Sequence, residues 1–400
     1  MANKVSLAGG ITQLALDSFS GITGAVEQVH QSIAGACVAY IPGIAKARLP
    51  GLGGKNPVYS IMLNTAGAVN LGVQTLTRTV SDGVEPMFDP RKLAWLATTN
   101  GICGDHLEET GNPLAMPMVF TDGASVLKLD RESLSADYAD PGPHIVVMVH
   151  GLCLSDQDWR RQEGADLGEQ LHGQLGFSPV YLRYNSGRHI STNGQDLASL
   201  LEQLCAEWPV PVESVSLVGH SMGGLVTRSA CCYAARKEHK WFSQLERVLF
   251  LGTPHNGSYL EKAGHLADGA LSMIPHAEPL MFGRKRSAGI RDLRYGYLLD
   301  EDWQADRSGK SLRFDFRPVP LEEGVDYYIA AASVGSDEDS LPGRIVGDLL
   351  VRTGSAMGDH RDERSALDFR PENCRIFPEK NHFDLLGDPC VHRQVVEWFG

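Results

Sequence analysis

Ser214-Val215-Ser216-Leu217-Val218-Gly219-His220-Ser221-Met222-Gly223-Gly224-Leu225-Val226 packs a strand, a sharp turn and a helix start into one short run. Three of the first five residues are apolar, two of them β-branched valines, and the run reads as a buried strand. Leu225 to Ala230 reads as the opening of a helix. Between them, Gly219-His220-Ser221-Met222-Gly223 fits Gly-x-Ser-x-Gly. Little room remains where a strand turns straight into a helix. Glycines on both sides let the backbone close and hold the serine hydroxyl out at the strand's carboxyl end. A serine presented that way needs a base, an orienting acid and an oxyanion hole.

Working outward, strands and helices alternate. Ile145–Val149, Pro179–Arg183, Val248–Leu251, Tyr327–Ala331 and Cys374–Phe377 read as strands, and 117–130 as a hairpin turning at Thr121-Asp122-Gly123. Leu197–Leu204 and Val391–Phe399 read as helices. Fully apolar strands separated by helices predict a mostly parallel sheet covered by helices on both faces. The stretch from Gly252 to Val325 is too long for a plain connection and holds its own apolar residues. It predicts a cap or lid insertion over about 256–324. Residues 1–115 form a distinct N-terminal helical region, rich in small residues, with apolar stripes at Ile11, Leu14, Phe19 and Ile22 and at Val69, Val73 and Val80. It packs on the domain at 116–400 or on another subunit, or it binds a lipid or polymer surface.

The oxyanion hole should follow the first fully apolar strand, where His150-Gly151-Leu152 stands. Gly151 admits the substrate and the Leu152 amide points at the oxyanion. The Met222 amide, one past the serine, is the second donor. The base should lie late in the chain. Of His360, His382 and His392, His382 follows a strand and precedes the last helix, which suits a loop at the sheet's carboxyl edge. The acid is one of Asp337, Glu338, Asp339 and Asp348. The first three form an acidic cluster of the solvated kind, whereas Asp348 stands alone among apolar residues and needs a partner, which a histidine supplies.

Other residues stay open. Thr253-Pro254-His255-Asn256 leaves a strand and either lines the pocket, with His255 toward substrate, or forms a structural turn. The polar loop Tyr184–Ser191 either binds substrate or braces the site, and Cys153 reads as a packing residue. His and Asp residues do not fall at metal-ligand spacing, so neither a metal nor a cofactor is expected.

These motifs resemble the α/β-hydrolase superfamily, and within it the bacterial lipases and esterases and the related inositol deacylases. Gly219–Gly224 is similar to their nucleophile segment and His150-Gly151-Leu152 to their oxyanion segment. Gly347-Asp348-Leu349-Leu350-Val351 resembles their acid-bearing Gly-Asp-Gly-Leu-Val, with Leu349 replacing the second glycine. Asn381-His382-Phe383 resembles the histidine stretch. The resemblance spans about 140–400. It implies an α/β-hydrolase fold and ester hydrolysis through an acyl-serine, with Ser221, Asp348 and His382 as the triad.

Composition bounds the partners. The chain has 400 residues, 42% of them hydrophobic, and a net charge of −13. That charge disfavours nucleic acid and anionic membranes. Eight scattered cysteines without a CxxC pair read as reduced thiols. With no apolar leader and no stretch of membrane-spanning length, the expectation is a cytoplasmic protein. Its substrate would be a small-molecule, lipid or polyester ester. The Gly- and Ala-rich N-terminal helices are candidates for a homo-oligomer contact. An acyltransferase using the same serine, or a lipid- or granule-surface binder, is the competing expectation.

Overall fold

The computed structural model describes residues 90–109, 115–160, 166–257, 287–307, 319–335, 348, 351, 353–359 and 366–400. The chain divides into two units, Met1–Thr98 with Leu260–Arg286, and Thr99–Tyr259 with Ser287–Gly400. Only the first turns of helix α1 (Pro90–Glu109) are described in the first unit. The apolar stripes at 11–22 and 69–80, and the subunit contact expected of them, lie outside the described residues.

The second unit is built on a seven-stranded sheet. Its strands are β1 (Val119–Thr121), β2 (His144–Val149), β3 (Ser178–Arg183), β4 (Ser214–His220), β5 (Leu245–Leu251), β6 (Asp326–Ser333) and β7 (Cys374–Pro378). They lie in the order β1-β3-β2-β4-β5-β6-β7. Only β1 runs antiparallel, against β3. The helices are α2 (Arg131–Asp137), α3 (Leu167–Leu175), α4 (Ile190–Glu207), α5 (Met222–Arg236), α6 (Ala288–Tyr295), α7 (Asp300–Arg307), α8 (Thr353–Ala356) and α9 (Pro389–Phe399).

Each central strand sends alternate side chains to opposite faces, and both faces are dry. On one face Ile145, Val147, Leu217 and Phe250 pack with Leu197 and Leu201 of α4 and Leu225 and Val226 of α5. On the other, Val146, Met148, Val218 and Leu249 pack with Leu171 of α3 and Val391 and Val395 of α9. This two-sided burial is why the strands read as unbroken apolar runs. Helices α3 and α9 are N-capped by Asp166 and Asp388, whose side chains accept from Gly168 and Cys390 amides.

The strand order fixes where a site can form. From β2 the chain goes to β3 on one side, then crosses to β4 on the other. The loops leaving the carboxyl ends of β2 and β4 therefore part and leave a crevice between them. Val149 pairs with Gly219, so the segments that follow, His150–Leu152 and His220–Met222, start side by side.

Two expectations change in detail. The 117–130 hairpin reduces to one bridge, Thr121 to Val126, because Val119–Thr121 pairs instead with the open edge of β3. Asp122 accepts from the amides of Ala124 and Ser125, a side-chain turn that ends the strand. The chain after it forms α2, capped by Asp130. Of the expected cap at about 256–324, helices α6 and α7 are described and 258–286 and 308–318 lie outside the described residues. No helix among the described residues is long and apolar enough to cross a membrane.

Candidate active site

Ser221 sits between β4 and α5 with φ 55° and ψ −124°. A side chain in this left-handed region is strained, and the surroundings must hold it there. They do. The Ser221 amide donates to the Leu251 carbonyl at 2.8 Å, and the Ser221 carbonyl accepts from the Gly224 amide at 3.0 Å. The turn closes because its glycines lack side chains. A Cβ on Gly219 would lie 2.5 Å from Gly224 Cα, and one on Gly223 would lie 2.5 Å from the His150 carbonyl oxygen.

The β2 loop lies directly against the serine. A Cβ on Gly151 would stand 3.1 Å from Ser221 Cβ. Leu152 and Met222 follow these two contact points. Met222 opens helix α5, where an amide has no helical carbonyl one turn back to bond. His150 itself points elsewhere. Its Nδ1 lies 2.9 Å from the Gly151 carbonyl, and its ring stacks on Tyr184 with centroids 4.3 Å apart. Burial pushes its pKa down to about 4, so it is neutral at pH 7.

His382 and Asp348 meet. His382 Nδ1 lies 2.6 Å from Asp348 Oδ2, and both residues are buried. The His382 amide also donates to the Asp348 carbonyl at 3.3 Å. Asp348 is fixed in turn, since its Oδ1 accepts from the Val351 amide at 2.7 Å. With Nδ1 committed to the carboxylate, the imidazole keeps Nε2 for other work. The ring abuts Gly252, where a Cβ would lie 3.0 Å from its Cε1 and Nδ1. Gly252 follows Leu251, the residue that holds the Ser221 amide. It can come so close because it is a glycine with φ 59°.

His220, the neighbour of Ser221, stands out in the sequence only as part of the Gly-x-Ser-x-Gly motif. Its Nε2 lies 3.3 Å from the His382 carbonyl, and the two rings stand 4.8 Å apart. Burial, then the nearby His382, keep it neutral, well below the usual histidine range. Of His150, His220, His255 and His382, only His382 is held on a carboxylate.

His255 is placed apart from this group. Its ring packs edge-on against Phe250 at 4.7 Å, near Phe369, and its Nδ1 lies 3.5 Å from Arg228 Nη1. Phe250 points to the α4–α5 face of the sheet, whereas Leu249 and Leu251 point to the other. The Gly-Thr-Pro-His run thus contributes Gly252 beside His382, and its histidine packs in the fold.

A buried ion pair flanks the loop that leaves β2. Arg183 at the end of β3 donates from Nε and Nη2 to both carboxylate oxygens of Asp156, at 2.6 and 2.9 Å, and Thr121 of β1 adds its hydroxyl at 3.0 Å. Burial alone would raise the Asp156 pKa, but the Arg183 hydrogen bonds and charge outweigh it and hold the carboxyl ionised. No motif spacing marks these residues, which lie 27 and 35 positions apart in sequence. Among the described residues no cluster of three or more His, Cys, Asp or Glu side chains could hold a metal.

Residues 140–283 match the family model described as "Putative serine esterase (DUF676)". That span contains the His150–Leu152 loop and Ser221 and stops short of Asp348 and His382. No curated protein matches the sequence. Among solved structures, the mature lipase BlEst2 of Bacillus licheniformis is 22% identical, with 64% of this chain and 94% of that chain covered and a TM-score of 0.40. The RedJ thioesterase from the prodiginine biosynthetic pathway of Streptomyces coelicolor is 18% identical, covering 65% and 91%, with a TM-score of 0.36. An esterase of Pyrobaculum calidifontis is 12% identical, covering 65% and 75%, with a TM-score of 0.37. The strand order and the elbow give the chain an α/β-hydrolase fold, and its residues 140–283 are similar to the putative serine esterases.

Proposed function

We propose that the protein is a carboxylic ester hydrolase that works through an acyl-serine on Ser221, with His382 as base and acid and Asp348 as its orienting partner. The observation that carries this is the His382–Asp348 pair at 2.6 Å, buried beside the strand end that holds a strained, outward-held serine. Ser221 Oγ attacks the ester carbonyl carbon while His382 Nε2 takes its proton. The carbonyl oxygen becomes an oxyanion held by the Leu152 and Met222 amides, each such donor being worth about 3 kcal/mol in the transition state. His382 then protonates the departing alcohol. Water, deprotonated by the same imidazole, attacks the acyl-serine and releases the acid. Asp348 fixes the tautomer and stabilises the imidazolium.

The substrate class we propose is an acyl ester with an apolar chain, from a lipid or polyester, in keeping with the apolar residues of the cap insertion. Free thiols such as Cys205, Cys231 and Cys232 suit the cytoplasm, where we place the reaction. The test is hydrolysis of a chromogenic acyl ester series, short to long, in plain buffer. Wild type is expected to hydrolyse it with a chain-length optimum, and Ser221→Ala to lose roughly 10³-fold or more in kcat. A folded wild type that cleaves no ester, or a Ser221→Ala variant as active as wild type, contradicts the proposal.

A further inference from the structure

The polar loop between β3 and α4, Tyr184–Ile190, has no step in the chemistry above, yet both flanks of the oxyanion loop are tied to it. At the near flank the Tyr184 hydroxyl donates to the His150 carbonyl at 2.8 Å. At the far flank the Cys153 amide donates to the Ser186 hydroxyl at 3.1 Å. Ser186 is 1% exposed, so water does not compete for that bond. Leu152 lies between these two fixed points.

Helix α1 closes on the same residue from another direction. A Cβ on Gly101 would stand 2.9 Å from Cys153 N and 3.0 Å from Cys153 Cα, so helix backbone abuts loop backbone. The helix is tied there through the same polar loop, since Asn185 Nδ2 donates to the Gly104 carbonyl at 2.9 Å. Cys153 has φ 61°, a left-handed conformation that a side chain adopts only where its surroundings enforce it.

We propose that Ser186 and Gly101 are positioning residues of the oxyanion hole. The Ser186 hydroxyl and the α1 backbone at Gly101 hold Cys153 in its left-handed conformation, and this aims the Leu152 amide at the oxyanion. The proposal rests on the esterase reading and deepens it. It also gives residues 99–109, ahead of the sheet in sequence, a task in catalysis.

The test uses the full chain with Ser186→Ala, which removes one hydroxyl, and Gly101→Ala, which drives a methyl against the Cys153 backbone. The readouts are kcat and KM on a chromogenic ester, affinity for an aryl boronic acid that forms a tetrahedral adduct on the serine, and melting temperature. A misaimed donor weakens the tetrahedral state and spares ground-state binding. Ser186→Ala is therefore expected to lower kcat about 10-fold or more with KM within about twofold, and boronate affinity falls in parallel. Gly101→Ala shifts the same quantities the same way. Overturning results are an active wild type with Ser186→Ala unchanged in kcat and boronate affinity, or a Ser186→Ala loss that falls on KM alone. A wild type that cleaves no ester removes the esterase reading itself, and this inference with it.

Discussion

At the scale of single residues the site is organised around stored strain. Ser221 keeps φ 55° and ψ −124° because the Leu251 carbonyl, the Gly224 amide and the glycine packing leave it no alternative. Such a conformation costs a residue with a side chain about 1–3 kcal/mol and a glycine almost nothing. Ser221→Gly is therefore expected to be inactive yet more stable than Ser221→Ala, by about 1 kcal/mol after the greater chain entropy of glycine is counted. Urea unfolding of the two variants measures this, and equal midpoints would mean that the elbow carries no strain. The glycines single out Ser221 as the candidate nucleophile, and chain order singles out His382 as the candidate base. A lone carboxylate in an apolar run needs a partner, which singles out Asp348 as the candidate acid, and the structure brings it to His382. The role left open for His255 was not decidable in sequence. Adjacency to a strand end does not say which face of the sheet a side chain will reach.

At the scale of elements, the parallel strands could be read because both faces of the sheet are dry, which leaves a run such as Ile145–Val149 without a polar position. Strand β1 was harder. Whether Val119–Thr121 pairs with the next segment or with a distant edge depends on β3, which is remote in sequence. The Asp156–Arg183 pair was invisible for the same reason. It ties β1 through Thr121, β3 through Arg183 and the turn after the His150–Leu152 loop through Asp156. Removing one partner of a buried pair strands the other charge. Asp156→Asn is expected to cost about 3–5 kcal/mol, whereas Asp156→Leu combined with Arg183→Met recovers most of it. Equilibrium unfolding of the three proteins decides the matter. A single variant within about 1 kcal/mol of wild type would show that the pair is not holding these elements.

At the scale of the whole molecule, buried neutral histidines set the response to acid. His150 is pushed down to about 4, and His220 and His255 lie well below the usual value of 6.5, each chiefly by burial. The unfolded chain binds these protons from pH 6.5 downward and the folded chain does not. Stability is therefore fully present above pH 6.5 and is lost as the pH falls toward 4. Each such imidazole contributes about 1.4 kcal/mol per pH unit across that window. His255→Gln is expected to lower the slope of unfolding free energy against pH by about one proton near pH 5. Urea unfolding at several pH values reads that slope, and an unchanged slope would mean that His255 is already charged in the fold.

The central claim is that Ser221 is a nucleophile made reactive by His382 and Asp348. The most direct test is to label the full chain with a p-nitrophenyl alkylphosphonate and follow both nitrophenolate release and the mass of the protein. The account predicts about one nitrophenolate per chain and one phosphonyl adduct that peptide mapping places on Ser221. Labelling should be absent in Ser221→Ala and strongly slowed in His382→Ala. A folded wild type that takes no label, or takes it at Cys153 or any residue other than Ser221, would contradict the account.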